Sequence, residues 1–231
     1  MKISILTLFP EMFEGPFRYS IVKKALDKKL VAIELINIRD FGIGRHKTVD
    51  DTCYGGGTGM IMRVDVVDKA IKSIVSKKIK QRIVLLDARG EKFTQKKAFE
   101  FSKIDHLILI CGHYEGFDER IKQYLIDESI SIGDYILTGG EIPAMVISDA
   151  VVRLIPNVIK NEATQFESFS KLDDGSELIL LEYPQYTKPD NYEGRKVPEI
   201  LLSGNHAKIK KWRQEQAIAV TKKQRPDLLN K

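Results

Sequence analysis

The 231-residue chain has only two cysteines, Cys53 and Cys111. Two thiols make neither a disulfide framework nor a zinc cluster, so a reducing, cytoplasmic setting is expected. Long hydrophobic runs are also missing. None approaches the ~20 residues of a membrane span. The apolar run 3–9 stops at Pro10, too short for a secretory core. No membrane partner is therefore expected. A nucleotide fingerprint is absent too: where G-x-G-x-x-G would follow the first strand, the chain reads Phe9-Pro10-Glu11-Met12-Phe13. Gly55-Gly56-Gly57-Thr58-Gly59 is rich enough in glycine to cradle a phosphate, but no Gly-Lys-Ser/Thr follows, so it is not a P-loop. There is no internal repeat and no low-complexity tract.

What is present is an ordinary globular composition, 43% hydrophobic and 30% charged. The net charge of +5 is unevenly placed. From residue 205 onward, eight basic side chains face two acidic ones, which leaves the rest of the chain near neutral. A basic tail on a neutral body points to a polyanion, with nucleic acid the first candidate. The competing reading is a solvated helix face.

Residues 1–9 read as a strand, 18–30 as a helix and 31–38 as a second strand. This β-α-β opening belongs to a parallel α/β sheet. Residues 40–60 read as a loop carrying Arg45, His46 and Lys47. Apolar spacing then predicts a helix at 65–77, a strand at 82–87 and a helix at 94–103 capped by Thr94. Two apolar runs follow, 106–111 and 125–132. Each runs into a glycine turn, at 112–116 and 133–140. Ligands of open parallel sheets bind at the carboxyl ends of strands, and glycine lets the backbone come close to them. The stretch 106–143 is accordingly the expected binding centre, with ordinary turns as the alternative. A helix is predicted over 141–155, where Asp149 and Arg153 stand four apart and would form a weak surface pair. The polar stretch 161–188 reads as a linker. Beyond it lie helices at 197–203 and 205–222. On the second, Ile209, Trp212, Gln216, Ala219 and Val220 make an expected inner face, so Trp212 is assigned to packing rather than to base stacking.

The motifs Leu8-Phe9-Pro10-Glu11-Met12-Phe13, Tyr54-Gly55-Gly56-Gly57-Thr58-Gly59-Met60, Cys111-Gly112-His113-Tyr114-Glu115-Gly116 and Ile132-Gly133-Asp134-Tyr135-Ile136-Leu137-Thr138-Gly139-Gly140-Glu141 closely resemble the bacterial tRNA (guanine-N1)-methyltransferase family. So do Tyr183-Pro184-Gln185-Tyr186 and Lys211-Trp212-Arg213. The resemblance runs in order along nearly the whole chain. It implies the SPOUT class: an α/β domain at 1–160 with a trefoil knot at its C-terminal end, a flexible linker at 161–188 and a small helical tRNA-binding domain at 189–231. It further implies a homodimer with active sites at the dimer interface, and a reaction in which S-adenosyl-L-methionine methylates N1 of guanosine 37 beside the tRNA anticodon.

Carried over by position, the resemblance places the donor against Gly112 and against Ile132, Gly133, Asp134, Tyr135, Ile136 and Leu137. Leu86, Tyr114, Glu115, Gly139 and Gly140 complete the surround. Arg153 matches the catalytic arginine. The general base falls on Glu167, in Glu167-Ser168-Phe169, where the family pattern has the one-methylene-shorter aspartate. Residues 170–179 also exceed the usual connection. Mg2+ is implied, although no metal-ligand cluster is visible to hold it. Two other readings stay open at this point: an RNA-binding protein without catalysis, and an α/β enzyme acting on a nucleotide or phosphorylated metabolite.

Overall fold

The computed structural model describes residues 1–76, 78–160, 164, 167–171 and 179–229. By internal contacts the chain divides into two compact units, Met1–Ile159 and Lys160–Lys231.

The first unit is built on a parallel sheet. Its strands are β1 (Lys2–Thr7), β2 (Ala32–Asn37), β5 (Gln81–Lys92), β6 (His106–Cys111) and β7 (Glu128–Ser131), in the spatial order β2-β1-β6-β5-β7. Helix α1 (Ser20–Asp27) joins β1 to β2, as the β-α-β pattern predicts. Every residue of β6 is buried, because the strand lies inside the sheet with a layer on each face. Leu107, Leu109 and Cys111 meet α1, α3 (Gln95–Ser102) and α5 (Glu141–Val152). Ile108 and Ile110 meet α2 (Val64–Lys72) and α4 (Glu119–Tyr124). Burying each such side chain contributes about 1.5–3 kcal/mol. The loop leaving β6 is thus anchored in the buried core.

Several expectations change. The loop 40–60 contains a short antiparallel hairpin, β3 (Asp50–Thr52) with β4 (Met60–Met62). Helix α4 carries no sequence signal of its own: six residues show no period, and its start is marked only by Asp118, whose carboxylate accepts from the Arg120 N–H at 2.9 Å. Strand β5 runs on to Lys92. Leu86 and Glu91 both pair with Ile130, so residues 87–90 are looped out of the β5–β7 ladder. Thr94 does cap α3, accepting from the Lys97 N–H at 3.3 Å.

In the second unit, Ser170–Lys171 pairs with Ile179–Leu180, so the expected linker holds ordered structure at these positions. Residues 161–163, 165–166 and 172–178, which include most of the lengthened connection, lie outside the described residues. A second small hairpin joins Asn191–Tyr192 to Arg195–Lys196. The helices are Glu199–Leu202 and His206–Gln224. On the long one, Ala217 and Thr221 are the buried positions, Ile209, Trp212, Gln216 and Val220 are half-buried, and Ala219 is exposed. The inner face is therefore rotated from the expected one toward Thr221. That hydroxyl accepts from the Leu181 N–H at 2.8 Å and donates to the Ala217 carbonyl at 2.7 Å. Trp212 packs beside the Tyr186 ring, centroids 6.4 Å apart.

Candidate active site

A cavity of about 460 Å³ opens at the carboxyl ends of β5, β6 and β7. Three backbone segments wall it: the looped-out 87–90, the turn 112–117 and the turn 130–140. The two turns are tied directly, since the Gly140 N–H donates to the Gly112 carbonyl at 2.8 Å. Gly140 has no alternative here. A Cβ on it would lie 2.6 Å from Cys111 Cα and 2.7 Å from Gly112 N. The turn 112–117 is also held from outside by β4: the Glu115 N–H donates to the Met60 carbonyl at 3.0 Å, and the Met62 N–H to the Gly116 carbonyl at 2.9 Å. Tyr114 takes a left-handed backbone, φ 60°, and is partly exposed at the turn.

Of the residues matched by resemblance to a donor site, Leu86, Gly112, Tyr114, Glu115, Ile132, Gly133, Tyr135, Ile136, Leu137, Gly139 and Gly140 all line this cavity. Asp134 does not. It is exposed, and its carboxylate lies 2.7 Å from Lys92 Nζ. Arg153 follows the last turn of α5, half-buried, with its backbone N–H donating to the Asp149 carbonyl at 3.2 Å, and it is not part of the cavity lining. Glu167 belongs to the second unit, where it is half-buried and its carbonyl accepts from the Ser170 N–H at 3.1 Å.

The lining combines apolar surface with unspent backbone polarity. Leu86, Ile130, Phe117 and Pro143 supply the hydrocarbon. Among the described residues, the N–H groups of Ile136, Leu137 and Thr138 meet no backbone carbonyl, so a flat polar ligand would find donors there. Asp87, Arg89, His113 and Thr138 are lining residues that the sequence reading does not single out. Asp87 immediately follows Leu86 within β5, and the carboxyl-end rule could have found it. Burial alone would raise the Asp87 pKa. The Arg89 backbone N–H at 3.0 Å and the Lys122 ammonium overcome this and leave it lowered, so an ionised carboxylate stands in the wall. Cys111 is different: complete burial, with the nearby Glu141 charge, pushes its thiol well above the ordinary range, which makes it packing and not a nucleophile. No cluster of three or more His, Cys, Asp or Glu groups suited to a metal occurs among the described residues. None of their helices is long and apolar enough to cross a membrane.

Comparison with known proteins agrees over the full length. The family model described as tRNA (guanine-1)-methyltransferase TrmD matches residues 1–231. A tRNA (guanine-N(1)-)-methyltransferase of Bacillus pumilus is 51% identical over 231 residues, covering 100% of this chain and 92% of the relative. That of Geobacillus kaustophilus is 54% identical over 230 residues, with 100% and 92% covered. That of Carboxydothermus hydrogenoformans is 55% identical over 230 residues, with 99% and 87% covered. A chain matched from end to end by this family model, and 51–55% identical to these relatives, leaves one assignment: this protein belongs to the tRNA (guanine-1)-methyltransferase family.

Proposed function

We propose that the protein methylates N1 of guanosine 37 in tRNA, using S-adenosyl-L-methionine as the donor. The observation that carries this reading is the cavity closed by the Gly140–Gly112 backbone bond, lined by eleven of the twelve residues matched to the donor site. Its fit to the donor is good. The volume lies within the ~300–1,000 Å³ typical of small-molecule sites. Apolar side chains offer faces for an adenine, and the backbone N–H groups at 136–138 offer hydrogen bonds to its edge. When bound, S-adenosyl-L-methionine supplies an already activated methyl group on a sulfonium.

The remaining work belongs to the protein's own side chains. Guanine N1 carries a proton and is a poor nucleophile, so a carboxylate must take that proton. Glu167 is assigned that role. Its extra methylene relative to the family's aspartate lengthens its reach. Negative charge builds on O6 as the proton leaves, and Arg153 supplies a permanent countercharge. Asp134 stands outside the cavity lining. It stays at the rim, where its pairing with Lys92 ties the turn 130–140 to the end of β5.

Within one chain, α5 separates Gly140 from Arg153 by roughly 20 Å at ~1.5 Å per residue. Arg153 stands outside the cavity lining of its own chain. This supports a homodimer in which each active site draws on both chains. Ile142 and Val146, 47% and 44% exposed on α5, and Ile136, 82% exposed on the adjoining turn, offer apolar surface for that contact. The first unit is read as the SPOUT domain, with residues near 112–140 threaded as the trefoil knot; the absence of room between Gly140 and Cys111 supports so tight a crossing. The second unit is read as the linker and the tRNA-binding domain, its basic helix gripping phosphates of the anticodon stem-loop. The same reading places the protein in the cytoplasm. Mg2+ has no group of three or more His, Cys, Asp or Glu side chains to hold it among the described residues. The decisive experiment is methyl transfer from labelled S-adenosyl-L-methionine to tRNAs with guanosine or adenosine at position 37. Transfer to the guanosine form alone is expected; equal transfer to both, or to neither, overturns the reading.

A further inference from the structure

Among the described residues, two buried side-chain polar atoms have no hydrogen-bond partner: His113 Nδ1 and Ser148 Oγ. Ser148 is enclosed within α5, whereas His113 lines the cavity. A buried polar group left unpaired costs ~1–3 kcal/mol, so His113 calls for a physical account. Its ring is gripped on two sides, edge-on to Phe9 and to Tyr114, with centroids 4.9 Å away in each case. The ring cannot turn without breaking that packing.

Its Nδ1 edge faces Gly139. A Cβ on Gly139 would lie 3.2 Å from His113 Nδ1 and 2.4 Å from Glu141 Oε2. The imidazole nitrogen and a carboxylate oxygen thus flank one point. Glu141 is 3% exposed, and its other oxygen accepts from Thr7 Oγ1 at 2.7 Å. A buried carboxylate on the Nδ1 side favours the tautomer with hydrogen on Nδ1, whose N–H dipole then points toward negative charge. Nε2, at the opposite edge of the ring, is left with its lone pair. No hydrogen bond to it occurs among the described residues, and His113 lines the cavity.

We propose that His113 is a donor-contacting residue: its Nε2 accepts a hydrogen bond from an N–H or O–H of bound S-adenosyl-L-methionine, and Glu141 is the positioning residue that holds the tautomer. The proposal rests on the donor reading above. It explains why a polar ring occupies an aromatic packing position, and why Gly139 leaves the Nδ1 edge next to a carboxylate.

Calorimetry tests it with S-adenosyl-L-methionine and adenosine as separate ligands. His113→Phe keeps the ring packing and removes both nitrogens; donor affinity should fall about tenfold, the size of one hydrogen bond. The amide of Gln reaches the Nε2 position, so His113→Gln should recover to within about threefold of wild type. Asn reaches only the Nδ1 position, and His113→Asn should stay as weak as His113→Phe. Glu141→Gln should also weaken the donor, because an amide N–H facing Nδ1 reverses the tautomer. If adenosine loses the same factor, the contact is to the nucleoside; if only the full donor weakens, it is to the methionine tail. Wild-type affinity in His113→Phe overturns the proposal, and so does rescue by Asn in place of Gln, which decides the matter even if His113→Phe fails to fold. A wild-type protein that binds no donor refutes the donor reading itself, and this contact with it.

Discussion

The two units are held together by different means. In Met1–Ile159, a strand buried along its full length is sandwiched between two hydrocarbon layers, and Gly140 sits against backbone with no room for a methyl group. In Lys160–Lys231, the buried described residues are Leu180, Ala217, Thr221 and Leu228. Polar and aromatic contacts do much of the remaining work there, as where Arg213 lies 4.9 Å over the Tyr183 ring and Arg225 5.9 Å over Phe169. A cavity walled by closely packed backbone suits a small ligand, since little ordering is needed on binding. A lightly buried unit with an exposed cationic helix suits a large polyanion, whose attraction is long-range and tolerant of shape. If this division is right, lesions in the two units should separate cleanly.

The largest expected effect would cut across the division. If Glu167 is the proposed base, Glu167→Gln should bind donor and tRNA almost normally and lose about 10²–10⁴-fold in single-turnover rate. A near-normal rate would remove Glu167 as the base. Mixed dimers of Glu167→Gln and Arg153→Ala chains then report the sharing: regained activity places the two residues on opposite chains.

Gly140→Val comes next. Its Cβ would collide with Cys111 and Gly112 backbone, and an overpacking cost of ~1–3 kcal/mol expressed at the cavity corresponds to about five- to 150-fold weaker donor binding. tRNA binding should not change. Unaltered donor affinity by calorimetry in a folded variant would remove this turn from the site. In the opposite direction, neutralising Lys208, Lys210, Lys211 or Arg213 should lower the log–log salt slope of tRNA binding by about one per contact and leave donor affinity alone. A slope equal to wild type would make the helix face merely solvated.

The smallest effect concerns stability. His106 is buried at the start of β6, with Nε2 2.8 Å from Ser4 Oγ, and Ser4 in turn donates to Glu34 at 3.2 Å. Burial, helped by Lys2 and opposed by Glu34, lowers its pKa below 6.5. The unfolded chain therefore takes up a proton before the folded one does. Stability is fully present above about pH 6.5 and is lost as pH falls through the folded value. Thermal midpoints should drop between about pH 7.5 and pH 5.5, and His106→Gln should flatten that drop.

Much of the first unit was legible because its signals are local. Alternating or continuous apolar residues marked β1, β2 and β6, helical spacing marked α1, α2 and α5, and glycines after β6 and β7 marked the two turns. Signals failed where elements were too short to show a period, as in α4 and the β3–β4 hairpin, and where pairing interrupted a strand, as at 87–90. The rotated inner face of the long helix escapes a hydropathy reading because its central contact is a hydroxyl, Thr221, which hydropathy counts as polar.

By itself, the sequence determined the longer helices and strands of the first unit, the parallel α/β class and the glycine motifs that carry the family. Each depends on residues close together along the chain. Only the tertiary structure decided that 87–90, 112–117 and 130–140 close one cavity, that Gly140 lacks room for any side chain, and that His113 and Glu141 meet at Gly139. Those facts depend on strand order and on distances between segments far apart in sequence, which packing sets and no local pattern encodes.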